Sequence, residues 1–337
     1  MPHWSLPRTA TSVQRTIRLA QELGVGLEQC LAGAGLTSTI FDEPTCEIEG
    51  WQELRVLANI LRQLEPSVPF GLMAGQRYHL TTHGMWGLIA VCSRDTRTAI
   101  ETGQRYSDLS YSFNRMDFQV HDREAHFLYD EGDNPEAVRA ALIEIDMAAL
   151  VMFGRDLAGR TIPIKRMYLR ASRPQYAAAF EPLFGVTPIF NSTSNCIVID
   201  AAHLEMRHPM ADEVGLQACE DACRAQLERR RVQRGIAGQV RRRLAAQPGV
   251  IPSMTTVASA LRMSTRTLRN KLTSEATSFR SLVEELRTRM AEDLLESPMP
   301  VDQIAQRLGY TDTSAFICAF KRWKGITPSG YRNQRSA

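Results

Sequence analysis

The sequence predicts an α+β N-terminal domain over residues 1–230, followed by an all-α domain over residues 231–337. The second domain is read as two helix-turn-helix subdomains joined by a long helix. Three observations predict this. Two patterns of short helix, tight break and second helix occur at about 250–276 and 300–324. Residues 231–337 hold 18 Lys and Arg against 8 Asp and Glu, whereas residues 1–230 hold 22 against 29, so a basic module follows an acidic one. The first 230 residues mix three-to-four-residue apolar spacing with alternation, the periods of helix and strand.

In the first domain, helical spacing predicts helices near 12–33, 51–64, 94–108, 135–158, 173–184 and 211–231. Strand-like stretches lie near 113–121, 125–130, 163–171 and 196–200. Asp130 to Pro135 reads as a turn. The Ala-, Leu-, Ile- and Met-rich run 138–153 reads as a buried helix. Over 216–246, Leu216, Cys219, Ala222, Cys223 and Leu227 form one apolar stripe, fit to pair with a second copy or to pack on its own domain. Arg229, Arg230 and Arg231 read as a solvated end or a phosphate contact.

In the second domain, Pro248, Gly249 and Pro252 break the chain ahead of the first unit. Val257, Ala258, Leu261 and Met263 form its apolar side, and Ser264 suits the N-cap of the next helix. From that cap Leu268 and Leu272 point inward, while Arg266, Arg269 and Asn270 point outward. The spacing of Phe279, Leu282, Val283, Leu286, Met290 and Leu294 predicts a connecting helix ending near Ser297 and Pro298, roughly 28 Å long. In the second unit Ile304, Ala305 and Leu308 are inward, Gly309 stops the helix and Asp312 caps the next. Ala315, Phe316, Phe320 and Trp323 are read as its inner side, and Thr327 with Pro328 opens a last short helix.

A helix of this kind enters the major groove, where base edges carry a distinguishable code. Arg reads guanine and Asn reads adenine through paired hydrogen bonds, which makes Arg266, Arg269 and Asn270 base-reading candidates. Thr265, Thr267 and Lys271, with Lys321, Arg322 and Lys324, suit phosphates. Thr313, Ser314, Ile317 and Cys318 are the outward residues of the second reading helix. The connecting helix approaches the roughly 34 Å between successive major-groove faces, so the expected target is double-stranded promoter DNA with two half-sites about one turn apart.

Residues 233–333 resemble the AraC/XylS type of bacterial transcription regulators. The residues that carry the resemblance are Met263, Ser264, Arg266, Leu268, Arg269 and Leu272, then Arg287 and Ala291, then Ile304, Ala305, Leu308, Gly309 and Tyr310. Ser314 to Phe316, Ala319 to Trp323, Gly325, Thr327, Pro328, Tyr331 and Arg332 complete it. The resemblance implies base contacts at the positions of Arg266, Arg269, Asn270, Thr313, Ser314, Ile317 and Cys318. Cys318 departs from the Arg or Ser of many relatives, which shifts the second helix toward phosphate contacts and shape. Residues 1–230 resemble the long arabinose-binding-domain-like effector half of one branch of that family. The carrying residues are Gly71-Leu-Met-Ala-Gly75, His83-Gly84 with Gly87, and His208 to Asp212. This implies a small-molecule effector, an activator, a homodimer and contact with RNA polymerase.

Phe70, Trp86, Tyr106, Phe113 and Phe153 are aromatic candidates for a pocket wall, and Arg77, His79 and Arg105 for meeting an acidic ligand. Core and solvated surface are the simpler readings, so no effector-binding residue is assigned. His79 with His83, and Cys219 with Cys223, are four apart but lack further ligands, so no metal and no cofactor are expected. No Gly-rich phosphate loop, nucleophile elbow or HExxH stretch occurs, and no Pro-Cys-His-Arg-like context marks an alkyl-transfer enzyme, so an enzyme is not expected. Seven scattered cysteines, no leader pattern and no long apolar run predict a cytoplasmic protein. The alternative is a ligand-independent regulator whose first domain mediates protein interactions.

Overall fold

A computed structural model describes residues 7–42, 46–232, 235–245, 251–295, 297 and 299–335. Contacts divide the chain into two units, Met1–Arg230 and Arg231–Ala337. Pro248, Gly249 and Pro298, read from the sequence as breaks, lie outside the described residues.

In the first unit, strand β1 (Pro7–Thr9) pairs antiparallel with β2 (Glu47–Glu49). The helix expected over 12–33 is two helices, α1 (Thr11–Glu22) and α2 (Leu27–Leu31). Gly24 separates them at φ +87°, a conformation that side chains with a Cβ resist. Helices α3 (Gly50–Gln63), α4 (Phe70–Gly75), α5 (Gly84–Cys92) and α6 (Thr96–Arg105) follow. Strands β3 (Arg115–His121) and β4 (Glu124–Asp130) form a hairpin, and α7 (Glu136–Ala158) runs from its end. Strand β5 (Ile164–Tyr168), helix α8 (Phe180–Phe184), strand β6 (Asn195–Asp200) and helix α9 (Glu213–Val232) complete the unit.

The four-stranded sheet has the order β3-β4-β6-β5, with every neighbouring pair antiparallel. Phe127 lies opposite Ile197, and Ala125 opposite Ile199, on the face that packs on Ile143, Met147 and Val151 of α7. Side chains two apart share a face, so this register gives one continuous apolar surface.

Helices α4 and α7 cross closely because Gly71 and Gly75 carry no side chain. A Cβ at Gly71 would lie 2.9 Å from the Ala141 carbonyl, and one at Gly75 would lie 2.6 Å from the Ala148 Cβ. A Cβ at Gly87 would meet the Leu80 carbonyl at 1.8 Å. Gly71, Gly75 and Gly87 therefore mark places where backbone approaches backbone or side chain without room for a methyl group, whereas Gly84 has open space around it and a φ of +55°.

The second unit is helical: α10 (Gly235–Ala245), α11 (Met254–Ala260), α12 (Thr265–Ser274), α13 (Phe279–Leu295), α14 (Val301–Arg307), α15 (Thr313–Lys324) and α16 (Pro328–Arg335). Leu282, near the start of α13, joins Val257, Ala258, Leu268 and Leu272 in one core. Ala291 and Leu295, near its end, join Ile304, Leu308, Phe316 and Phe320 in another. One helix thus belongs to two cores. It ends at Leu295 after 17 residues, about 26 Å, slightly shorter than its apolar spacing predicted.

Candidate nucleic-acid interface and ligand cavity

The caps of both helix-turn-helix subdomains form as their sequences require. Ser264 Oγ accepts from the Thr267 amide at 3.1 Å, and Asp312 Oδ1 accepts from the Ala315 amide at 2.7 Å. Each satisfies an N–H that a helix start leaves free. Gly309 takes φ +78° between α14 and α15.

These caps aim α12 and α15. Leu268 and Leu272 are buried, while Arg266, Arg269, Asn270 and Lys271 are exposed on the opposite side. Arg266, Arg269 and Asn270 are three and four residues apart, so they share a face. None of these three side chains bonds to another described residue, which leaves their donors to solvent. Thr265 is half-buried, and the Thr267 hydroxyl lies 2.9 Å from Ser264 Oγ.

On α15, Ser314 and Cys318 are exposed, and Thr313 and Ile317 are half-buried. Ala315, read from the sequence as inward, is exposed. The buried stripe is Phe316, Ala319 and Phe320, and Ala315 falls at its edge. Lys321 is exposed and makes no ion pair among the described residues. Arg322 pairs with Glu284 at 3.1 Å, and Lys324 pairs with Glu292. A phosphate contact by either of these two would have to share or replace an internal carboxylate.

The first unit holds a cavity of about 570 Å³ between α5, α6, α7 and the sheet. Phe127, Ile197 and Ile199 line its sheet side, and Ile145, Ala149 and Leu150 its α7 side. Its polar lining includes Arg8, His83, Asp108, Asn114, Arg115, Asp146 and Arg230. A mostly apolar hollow with a few placed polar groups is the usual form of a small-molecule site.

Of the aromatic candidates, Trp86 and Phe153 line the cavity. Phe70 and Phe113 belong to the core around α1 and α3, and Tyr106 to the core under α9. Arg77, His79 and Arg105 pair elsewhere, with Glu22 (2.8 Å), Asp156 (3.0 Å) and Glu220 (2.7 Å).

His83 sits among aromatic rings, with centroids 4.7 Å from Tyr111, 5.0 Å from Trp86 and 5.1 Å from Phe153. Both its ring nitrogens are shielded and have no hydrogen-bond partner among the described residues. Burial, with Arg15 and Arg8 nearby, pushes its pKa down to about 3, so the ring is neutral. Asp146 Oδ2 accepts from Ser112 Oγ and from Asn114 Nδ2 (2.8 Å). Burial raises Asp146 to about 6 against those two donors.

Arg230 corrects a sequence expectation. Read as part of a solvated or phosphate-binding run, it is 7% exposed and donates to the Asp108 carbonyl at 2.6 Å. Its neighbour Arg229 is exposed, as expected. The run of three arginines hides the difference, because only the helical phase of α9 selects which one turns inward. Of the two readings of the α9 stripe, the structure has the second: Cys219 and Cys223 pack on Ile89, Tyr106 and Leu109 of their own unit. Arg8 and Asp146 were missed. Neither belongs to a motif, and each is brought to the cavity by tertiary packing.

Among the described residues no group of three or more His, Cys, Asp or Glu is placed to hold a metal ion. No described helix is long and apolar enough to cross a membrane.

Residues 24–208 match a family profile described as the arabinose-binding domain of AraC transcription regulator, N-terminal. Residues 257–334 match one described as a helix-turn-helix domain. The chain is 31% identical over 323 residues to an uncharacterized HTH-type transcriptional regulator of Mycobacterium tuberculosis, covering 93% of this chain and 92% of that protein. It is 28% identical over 315 residues to the ornithine utilization regulator of Pseudomonas aeruginosa, covering 93% of each. Among solved structures it is similar to the transcriptional regulator CdpR of Pseudomonas aeruginosa. That match has 23% identity and a TM-score of 0.40, and covers 84% of this chain and 97% of that one.

Proposed function

This chain belongs to the AraC family of helix-turn-helix transcription regulators, and we propose that it activates transcription under the control of a small organic effector held in the cavity of its first unit. The cavity carries the reading of effector control. It is large, mostly apolar and edged by a few polar groups, and it lies largely within the region matched by the arabinose-binding profile. A regulator that used this unit only for protein contacts would have no need of such a hollow. The family's relatives are named as regulators, and the chain is not an enzyme.

In this reading α12 and α15 are the two base-reading helices. Arg266, Arg269 and Asn270 form the reading face of the first; Thr313, Ser314, Ile317 and Cys318 form that of the second. Thr265, Thr267, Lys271, Lys321, Arg322 and Lys324 serve the phosphates. The exposure of Arg266, Arg269, Asn270 and Lys321, with no side-chain partner among the described residues, supports their part in this assignment. The surplus of positive charge in residues 231–337 supports the phosphate contacts. RNA polymerase is the partner that activation requires. Pairing of two copies uses a surface other than the α9 stripe, which its own unit covers.

The test is mass action. An effector that binds only the folded state raises its stability as concentration rises. Thermal unfolding of the full chain against a panel of small metabolites should show concentration-dependent stabilisation by one chemical class. Filling the cavity with Ala149→Trp should abolish that response. Stabilisation that persists in the filled variant would place the effector elsewhere, and its absence across a broad panel would favour the ligand-independent reading.

A further inference from the structure

We propose that the cavity takes an organic monoanion with an apolar body, and that Arg8 and Arg230 hold its anionic group. This deepens the effector reading of the cavity and rests on it. Arg8 comes from β1 and Arg230 from near the end of α9, so the two extremes of the first unit meet in one cavity wall. Both side chains are buried, each residue 7% exposed. Their guanidiniums are anchored on one turn: Arg8 donates to the Ser110 carbonyl at 3.3 Å, and Arg230 to the Asp108 carbonyl at 2.6 Å.

The charges around this wall are unequal. Arg8 is paired with Glu53 at 3.2 Å. Among the described residues, Arg230 is bonded to the Asp108 carbonyl and makes no salt bridge, although the carboxylates of Glu47 and Asp108 lie near enough to attract its charge. A guanidinium has five N–H donors and cannot shed its charge, so a buried one favours a counter-anion. A ligand carboxylate supplies it, and paired hydrogen bonds from the planar fork suit that group. His83, in the same wall, is neutral, and its shielded ring nitrogens have no hydrogen-bond partner among the described residues. Asp146, also in the wall, already accepts from Ser112 and Asn114. Most of the remaining lining, including Ile164, Ile197 and Leu157, offers apolar surface to the ligand's body, with Thr96, Gln104 and Arg115 as further polar groups.

The position of Arg230 adds a consequence for control. It is the last residue of the first unit, and α9 runs on to Val232, inside the second. An anion bound at Arg230 restrains the end of the helix by which the chain leaves the effector unit.

The test is calorimetric titration of the full-length protein with octanoate, octanol and octylamine, which share one apolar body and differ in head group. Octanoate should bind about tenfold or more tighter than octanol, as a charge-assisted pair in a buried site implies. Octylamine should bind weakest. Arg230→Gln should lower octanoate to the level of octanol while leaving octanol binding unchanged, which also shows that the cavity is intact. Arg230→Lys should keep part of the preference. Octanol or octylamine binding as tightly as octanoate would overturn the anion assignment and leave the cavity as an effector site. Octylamine binding tightest would move the polar contact to Asp146. An undiminished octanoate preference in Arg230→Gln would remove Arg230 from the site. Failure of all three probes to bind the folded wild type would overturn the proposal and leave the effector reading to the metabolite panel.

Discussion

Glu144 should make the first unit lose stability as pH rises. It lies on α7, 4% exposed, where α4 crosses. The Tyr176 hydroxyl donates to its Oε1 at 2.8 Å, while its Oε2 is buried without a partner. Burial outweighs that one bond and raises its pKa from 4.5 to about 7. A raised carboxyl pKa means that the folded state holds a proton which the unfolded state releases. The resulting stability is fully present below pH 4.5 and is lost as pH rises through about 7. A shift of this size corresponds to about 3 kcal/mol. In a unit of this length, about 2–4 °C of melting temperature accompanies each kcal/mol. Replacing Glu144 with Gln removes the titration at nearly constant volume. Melting of the full chain, followed by circular dichroism from pH 5 to 8, should show the wild type falling by about 6–12 °C more than Glu144→Gln across that range. Parallel curves for the two proteins would mean that Glu144 is not held protonated in the folded state and that its carboxylate is hydrated there.

Other perturbations test other links. Gly87→Ala would press a methyl group on the Leu80 carbonyl and should cost more than about 3 kcal/mol, read as loss of the first unit's unfolding transition. Ser264→Ala removes the cap of α12 and should cost about 1 kcal/mol in unfolding by urea. Arg266→Ala should cost about 1–3 kcal/mol on its specific site and relax base preference in one half-site. Equal losses on specific and random DNA would reduce Arg266 to a phosphate contact. Lys321→Ala should weaken all sequences alike and lower the salt slope of binding by about one.

Much of the second unit was legible in the sequence because its rules are local. Ser264, Gly309 and Asp312 act within a few residues of themselves, and the Leu268/Leu272 stripe follows from helical spacing. The four sheet strands were located for a similar reason, since alternation and turn residues mark them. The short strands β1 and β2 were not found, because three residues carry no usable period. Helices α4 and α5 were also missed. Their glycines argue against helix locally, and only the packing at Gly71, Gly75 and Gly87 explains them. The cavity was the least legible feature. Arg8, His83, Asp146 and Arg230 lie far apart in the chain, and no spacing rule links them. Ala315 and Arg230 show the same limit at smaller scale, because a residue at the edge of a helical stripe can turn either way.

Two helix-turn-helix subdomains on one chain are proposed to read one DNA site together. The most direct test is to sequence the genomic DNA fragments retained by the purified full-length protein at near-physiological salt. The retained fragments should share a motif of two half-sites about one helical turn, roughly 10–10.5 base pairs, apart. Arg266→Ala should blur one half-site and leave the other sharp. Retained fragments with no common motif, or a single half-site untouched by Arg266→Ala, would contradict joint reading by the two subdomains.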